Sequence, residues 1–421
     1  MDIKSYDIKS YIEEISRKAK EASVLLRALK ADVRNRVLKS IGEMLKKEKD
    51  GIIEANRRDY ERGKKEGLSS ALLDRLLLTD RRIEDMIRSV NEIAALEDPV
   101  GEIIGVRRPQ GFLLEKVRVP IGVIAVIYES RPNVTIDAAS LCLKSGNAVI
   151  LKGGSDALES NKALTAIMQE ALEKNNVPAN SVQLIERREH EGVALLVKQS
   201  GYIDLVIPRG GEELIRSVVS EARVPVIKHY KGVCHLFVDE DADIRMAVEV
   251  VYNAKVQRPA TCNALETLLV HEKVSRQFLP MVAQRLEGVE LRGCPRTRDI
   301  LPGIGSVDED DYYREYLDLI LNVKVVDSVD EAIEHIEKYG SSHTDGILSR
   351  NISSIEAFVQ RVDSAVVAVN ASTRLSDGGV FGLGAEIGIS TDRLHARGPM
   401  GIRELTSYKW VIRGNGDIRQ Q

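Results

Sequence analysis

The feature that most constrains this chain is a run of short apolar segments, beginning at Val123, that alternates with helix-like stretches. Segments 123–128, 148–152, 182–185, 203–207 and 224–228 are nearly continuous Val, Ile, Leu and Ala. A strand with one solvated face alternates apolar and polar residues, so unbroken apolar strands imply a parallel sheet covered on both faces. The intervening stretches, 134–143, 159–173, 193–198 and 212–222, have helical periodicity and supply the covering layers. The style returns without sequence repetition after residue 231: segments 236–239, 264–270, 323–326, 346–348 and 366–370 read as strands, and 242–253, 275–286, 329–338 and 355–362 as helices.

Ahead of the first strand, residues 8–60 carry apolar positions at spacings of three and four, and Thr79 is placed to cap a further helix. Two β-rich runs, 103–106 and 113–119, flank Arg107-Arg108-Pro109-Gln110-Gly111 as a hairpin, and 404–412 reads as a terminal strand. The expected fold is therefore α/β. A Rossmann-like nucleotide domain spans 1–102 and 120–230, and a second α/β domain spans 231–400. A β-arm is built from 103–119 and 401–421.

Composition narrows the function classes. Lys and Arg number 60 against 64 Asp and Glu, for a net charge of -4, so no basic surplus serves a nucleic-acid backbone. No apolar stretch approaches the roughly 18 residues of a membrane span, and Met1-Asp2-Ile3-Lys4 lacks a secretory apolar core. Four scattered cysteines without a C-x-x-C pair argue against disulfides or a zinc motif and for a reducing, cytoplasmic setting.

A doubly wound domain invites a dinucleotide, yet no G-x-G-x-x-G follows any of its strands, and Gly382-Leu383-Gly384-Ala385-Glu386-Ile387-Gly388 has the wrong spacing. Two other places can hold a nucleotide. Lys152-Gly153-Gly154-Ser155 closes a strand at its carboxyl edge, where ligands of open α/β sheets bind. Arg209, Gly210 and Gly211 join a strand to a helix, where backbone N–H groups can face a pyrophosphate. Tight βα turns account for both segments equally well.

Among the cysteines, Cys142 falls on an apolar helix face and Cys234 in a strand, as core residues do. Cys294 has Arg292, Arg296 and Arg298 nearby, and cations favour a thiolate. Cys262, in Gln257-Arg258-Pro259-Ala260-Thr261-Cys262-Asn263, lies in a kinked polar entry to an apolar strand. Pattern favours Cys262 and leaves Cys294 open. The seven histidines show no metal-ligand spacing, so no metal site is expected.

Several segments carry a resemblance. Pro120-Ile121-Gly122-Val123-Ile124 and Ser145-Gly146-Asn147-Ala148-Val149-Ile150-Leu151-Lys152 resemble the nucleotide-domain signature of the aldehyde dehydrogenase superfamily. A closer match, to the branch of that superfamily that reduces an acyl phosphate, rests on five further segments. These are Tyr128-Glu129-Ser130-Arg131-Pro132-Asn133-Val134-Thr135, residues 258–267, Tyr339-Gly340-Ser341-Ser342-His343-Thr344, Val369-Asn370-Ala371-Ser372-Thr373-Arg374, and 384–391 with 395–399. They follow the family's order over nearly the whole chain.

The resemblance implies reduction of L-glutamate 5-phosphate with NADPH to L-glutamate 5-semialdehyde and phosphate, in proline biosynthesis. Cys262 would attack the acyl phosphate and hold a thioester, with the Cys262 backbone N–H and Asn133 as oxyanion donors. Lys152, Gly153, Ser155, Arg209, Gly210 and Gly211 would bind NADPH, and Glu129, Arg131, Arg258, Ser372 and Arg374 the substrate. Hydrolytic members of the superfamily carry a glutamate base just after the last nucleotide-domain strand. The matching stretch here, Lys228-His229-Tyr230-Lys231-Gly232-Val233, has no carboxylate, which suits a reductase that spares its thioester from water. The resemblance further implies a homo-oligomer joined through the arm, and a separate glutamate 5-kinase that supplies the substrate as a transient partner. An acylating, coenzyme A-dependent dehydrogenase and a non-catalytic paralogue on the same fold remain alternatives.

Overall fold

Five helices open the chain: Ile3–Leu26, Ala31–Lys47, Lys49–Lys65, Ser70–Leu76 and Asp80–Ala95. Thr79 caps the last through its side chain, which accepts from the Arg82 N–H. These are the coordinates of a computed structural model that describes residues 3–189 and 191–419; Met1, Asp2, His190, Gln420 and Gln421 lie outside it, and with them part of the N-terminal reading and one of the seven histidines. The chain divides into two units. The described parts of Met1–Lys228, Gly382–Gly388 and Met400–Gln421 make the first, and His229–Phe381 with Ile389–Pro399 the second.

The first unit holds a parallel sheet in the spatial order Val182–Leu184, Ala148–Lys152, Val123–Tyr128, Leu205–Arg209. Every residue of the central strand Val123–Tyr128 is buried. Each Val or Ile side chain withdrawn from water there contributes about 1.5–3 kcal/mol. The expected strand at 224–228 does not form; it reduces to a single bridge, Val206 to Val226. Pro225 interrupts it because its ring nitrogen has no N–H to donate to a ladder. The sheet edge falls instead on Leu205–Arg209, where Pro208 is tolerated.

The helices brace the turn that follows Ala148–Lys152. Buried Asp59 accepts the Ser160 N–H at 2.8 Å and the Ser160 hydroxyl at 2.7 Å, holding the start of helix Leu158–Lys174. Arg62 pairs with Asp59 at 2.5 Å and donates to the Asp156 carbonyl at 2.9 Å.

The arm corrects an expectation. The hairpin and the terminal strand were read as separate elements with unpaired edges, but they pair with each other. Strand Thr406–Arg413 runs antiparallel along the whole of Leu113–Pro120, which in turn pairs with Ile103–Arg107. Arg118 donates to the Thr406 hydroxyl and Asn147 to the Leu405 carbonyl, so the arm belongs with the first unit rather than standing apart. Gly382–Gly388, expected in the second domain, also groups with the first unit; there the Ile387 N–H donates to the Met400 carbonyl at 2.9 Å.

The second unit is built on a parallel sheet ordered Gly305–Ser306, Glu290–Gly293, Ile320–Val326, Leu265–His271, Cys234–Val238, Thr344–Leu348, Val366–Val369. The first two strands, and the short helix Pro295–Ile300 between them in the chain, carry too little apolar pattern to be read from sequence. Cys294 is thereby placed at the start of a helix rather than in an open loop, its sulfur 3.2 Å from the Thr297 hydroxyl. Its cationic neighbours are engaged elsewhere: Arg292 with Glu290 and Asp311, and Arg296 with Asp327. Fully buried Lys255 and Glu266 pair at 2.9 Å under this sheet, and burial pushes the Glu266 carboxyl up to about 7. Among the described residues no helix is long and apolar enough to cross a membrane.

Candidate active site

Cys262 sits in the turn between helix Ile244–Val256 and strand Leu265–His271, half-buried, while Cys142 and Cys234 are fully buried. Burial pushes both inner thiols well above the ordinary range, which makes them inert. The turn is held from all sides. The Thr261 hydroxyl donates to the Arg258 carbonyl at 2.8 Å, and the Asn263 amide donates to the Ser376 carbonyl at 2.8 Å. Arg374 donates to the Asn263 side-chain oxygen and, through Nε, to Gln257 Oε1 at 2.9 Å. From below, the Cys234 thiol donates to the Cys262 carbonyl at 3.2 Å. Gly232 passes so close that a Cβ there would lie 1.7 Å from the Cys262 carbonyl oxygen.

Two imidazoles complete the cluster. One nitrogen each of His229 and His343 and the Cys262 sulfur lie within 4.8 Å of one another. The rings meet edge to face at 5.4 Å between centroids. His229 Nδ1 is 2.9 Å from the Ile389 carbonyl, which can only accept, so Nδ1 carries the proton. His343 Nδ1 lies 2.9 Å from the Thr344 hydroxyl, which spends its own proton on Ser376; Nδ1 again is the donor. A neutral ring with its proton on Nδ1 holds its lone pair on Nε2. Burial, with His229 adding to it, drives the His343 ring down to about 3, so it stays neutral at any physiological pH. The chemistry this set can perform is proton acceptance from a thiol, stabilisation of a thiolate, or coordination of a soft cation.

In the first unit, Lys152 ends its strand buried, its ammonium donating to the Gly153 carbonyl at 3.2 Å, and burial lowers its pKa. Gly153 is packed so tightly against Asn161 and Tyr128 that a side chain would collide. Ser155 is exposed beyond it. A buried cation at the carboxyl edge of a sheet, with one carbonyl for company, fits the phosphate of a nucleotide ribose. The other nucleotide element is already occupied. Gly211 precedes helix Glu212–Glu221, and its N–H donates to the Glu129 carboxylate at 3.0 Å. A Cβ on Gly210 would strike the same carboxylate, and Arg209 packs against Gly388. The helix N-terminus thus carries the chain's own anion where a pyrophosphate was expected.

The remaining expected residues separate. Glu129, Arg131 and Asn133 lie in the first unit, and Arg258, Ser372 and Arg374 in the second. Asn133, in the first turn of helix Pro132–Lys144, donates its amide to Asp137 at 3.2 Å. Ser372 accepts from the Arg374 N–H as a turn cap, and Arg374 clamps the Cys262 turn. Both therefore serve the architecture around the thiol. Arg258 is exposed and its guanidinium has no hydrogen-bond or ion-pair partner among the described residues, which leaves it available to an anion. Sequence reasoning passed over His229, His343, Gly232 and Cys234. Spacing could not join histidines more than a hundred residues apart; the only signal was that His343 lies in a quoted motif and His229 in the stretch noted for its missing glutamate.

The fold and this thiol site define the class: the chain belongs to the aldehyde dehydrogenase family, whose sequence model matches residues 5–304. Within the family, relatives that match over nearly the full chain include γ-glutamyl phosphate reductases. It is 54% identical over 417 residues to that of Thermodesulfovibrio yellowstonii, covering 98% of this chain and 100% of the relative, and 52% identical over 417 residues to that of Halothermothrix orenii, covering 98% and 100%. The crystal structure of γ-glutamyl phosphate reductase from Thermotoga maritima superposes with a TM-score of 0.96 at 50% identity, covering 97% of this chain and 100% of that one. The chain is an enzyme of this aldehyde dehydrogenase branch, as its resemblance implied.

Proposed function

We propose that the protein reduces L-glutamate 5-phosphate to L-glutamate 5-semialdehyde and phosphate, with NADPH, as a step of proline biosynthesis in the cytoplasm. The observation that carries this reading is Cys262, a half-buried thiol fixed by Arg374, Cys234 and Gly232 beside two imidazoles. In the proposed course the thiol proton passes to the His229 imidazole, the sulfur attacks the acyl carbon, and phosphate leaves to give a thioester. The Cys262 backbone N–H and the Asn133 amide, once released from Asp137, are the oxyanion donors. Arg258 meets the substrate phosphate, with Glu129 and Arg131 left for its amino-acid end. Lys152, Gly153 and Ser155 hold the nucleotide; a reduced nicotinamide bound there supplies the hydride. Arg209, Gly210 and Gly211 join that site only if Glu129 yields the helix N-terminus. Where hydrolytic relatives keep a glutamate, the stretch 228–233 of this chain holds no carboxylate, so no glutamate is there to activate water against the thioester.

We also propose a homo-oligomer. Tyr408, Trp410 and Ile412 alternate along one face of the terminal strand and are exposed, as contact surfaces are. A transient contact with a glutamate 5-kinase would deliver the labile substrate.

The test is NADP+ reduction by glutamate semialdehyde with phosphate, with coenzyme A, and with neither. Dependence on phosphate is expected, together with loss of turnover in Cys262→Ser and first alkylation at Cys262. Dependence on coenzyme A, or activity surviving in Cys262→Ser, refutes the proposal.

A further inference from the structure

We propose that Cys262, His229 and His343 form a reversible site for a borderline-soft divalent cation, of which Zn2+ is the type, and that its occupation caps the thiol and shuts the enzyme off. The donor set comes first. One sulfur and two imidazole nitrogens already lie within 4.8 Å of one another. Tetrahedral Zn2+ takes sulfur at about 2.3 Å and nitrogen at about 2.0–2.1 Å, so its donors stand roughly 3.4–3.6 Å apart. The three groups need close by at most about 1.2–1.4 Å, and a fourth position remains for water.

The support around the donors is of the kind metal sites use. A histidine ligand donates its other ring N–H to a carbonyl or hydroxyl, which fixes the tautomer and the ring plane. His229 does so to the Ile389 carbonyl and His343 to the Thr344 hydroxyl, which is anchored in turn by Ser376. His343 supplies an independent observation. Its ring is fully buried, and Nε2, which holds the lone pair, has no hydrogen-bond partner. A buried acceptor without a donor costs about 1–3 kcal/mol, and a cation would satisfy it.

Binding is balanced simply: the cation bonds to sulfur and both nitrogens, and the thiol proton passes to solvent. No electron is transferred. Sulfur, imidazole and imidazole favour Zn2+ or Co2+ over Mg2+ or Ca2+, which take oxygen ligands. The inhibition rests on the reading of Cys262 as the nucleophile; the metal site does not.

The experiment titrates the full-length enzyme with Co2+ without oxygen, following the thiolate charge-transfer and tetrahedral ligand-field absorptions, and then measures turnover with Zn2+ and after chelation. The expected result is a Co2+ spectrum of one equivalent that weakens at least tenfold in Cys262→Ser, His229→Gln and His343→Gln and persists in Cys294→Ser. Zn2+ should inhibit competitively with the acyl substrate, shield Cys262 from iodoacetamide, and be reversed by a chelator. His229→Gln alters a partly exposed residue, so it decides the matter even where His343→Gln fails to fold. No Co2+ spectrum in the wild type, a spectrum unchanged in His229→Gln, or Zn2+ bound without loss of turnover overturns the proposal. Turnover retained by Cys262→Ser would refute the nucleophile alone, since the wild-type spectrum is read without catalysis.

Discussion

Replacing Gly232 by alanine tests whether the Cys262 turn is placed by direct backbone contact. The new Cβ would stand 1.7 Å from the Cys262 carbonyl oxygen, 2.5 Å from its carbonyl carbon and 2.8 Å from its Cα. Real Cβ contacts essentially never fall under 3.0 Å, so the two strands of backbone must separate by at least about 1.3 Å. No flexible side chain can absorb this, because all three atoms are main chain. The displacement also pulls the Cys262 carbonyl from the Cys234 thiol. Overpacking of this kind costs about 1–3 kcal/mol of stability. A misplacement near 1 Å at a reacting atom costs about 10²-fold in rate. The expected variant is folded by circular dichroism, melts a few degrees lower, and loses kcat by about 10²-fold with a slowed alkylation of Cys262. Wild-type kcat together with an unchanged alkylation rate would refute the reasoning.

Other outcomes follow from the same geometry. Lys152→Ala should raise KM for NADPH more than for NADH, because the buried ammonium is proposed to meet a ribose phosphate; equal effects in steady-state kinetics would remove it from that role. Lys255→Met should cost about 3–5 kcal/mol by stranding Glu266 in the core, whereas Lys255→Met with Glu266→Leu should recover most of it, as thermal unfolding of both variants will show. Light scattering should give a mass at least twice 46.7 kDa, and Trp410→Glu with Ile412→Glu should return it to one chain. Those substitutions are preferred to truncation after residue 406, which would strip Leu113–Pro120 of its in-chain partner.

The strand–helix alternation was legible because hydrophobic periodicity is a local property. Val123–Tyr128 and Ala148–Lys152 have the bounds their apolar runs predict, and Thr79 caps its helix because a side-chain oxygen three residues before an N–H needs no distant partner. Pro225 shows the limit within one segment: its apolar neighbours read as a strand, and one missing N–H reduced it to a bridge. Cys262 was legible as a thiol in a kinked polar turn, but what surrounds it was not. His229, Cys262 and His343 come from three separate connections of the second unit, and only the stacking of parallel strands brings them together. Tertiary structure likewise bonded Arg374 to Gln257 and Asn263 of the Cys262 turn and gave the helix start at Gly211 to Glu129. The sequence by itself determined which segments become strands and helices and which residues can do chemistry, because both depend on side-chain type and near neighbours. Only the folded chain decided which of those residues meet, because hydrogen bonds and contacts across a hundred residues depend on topology, to which local spacing is blind.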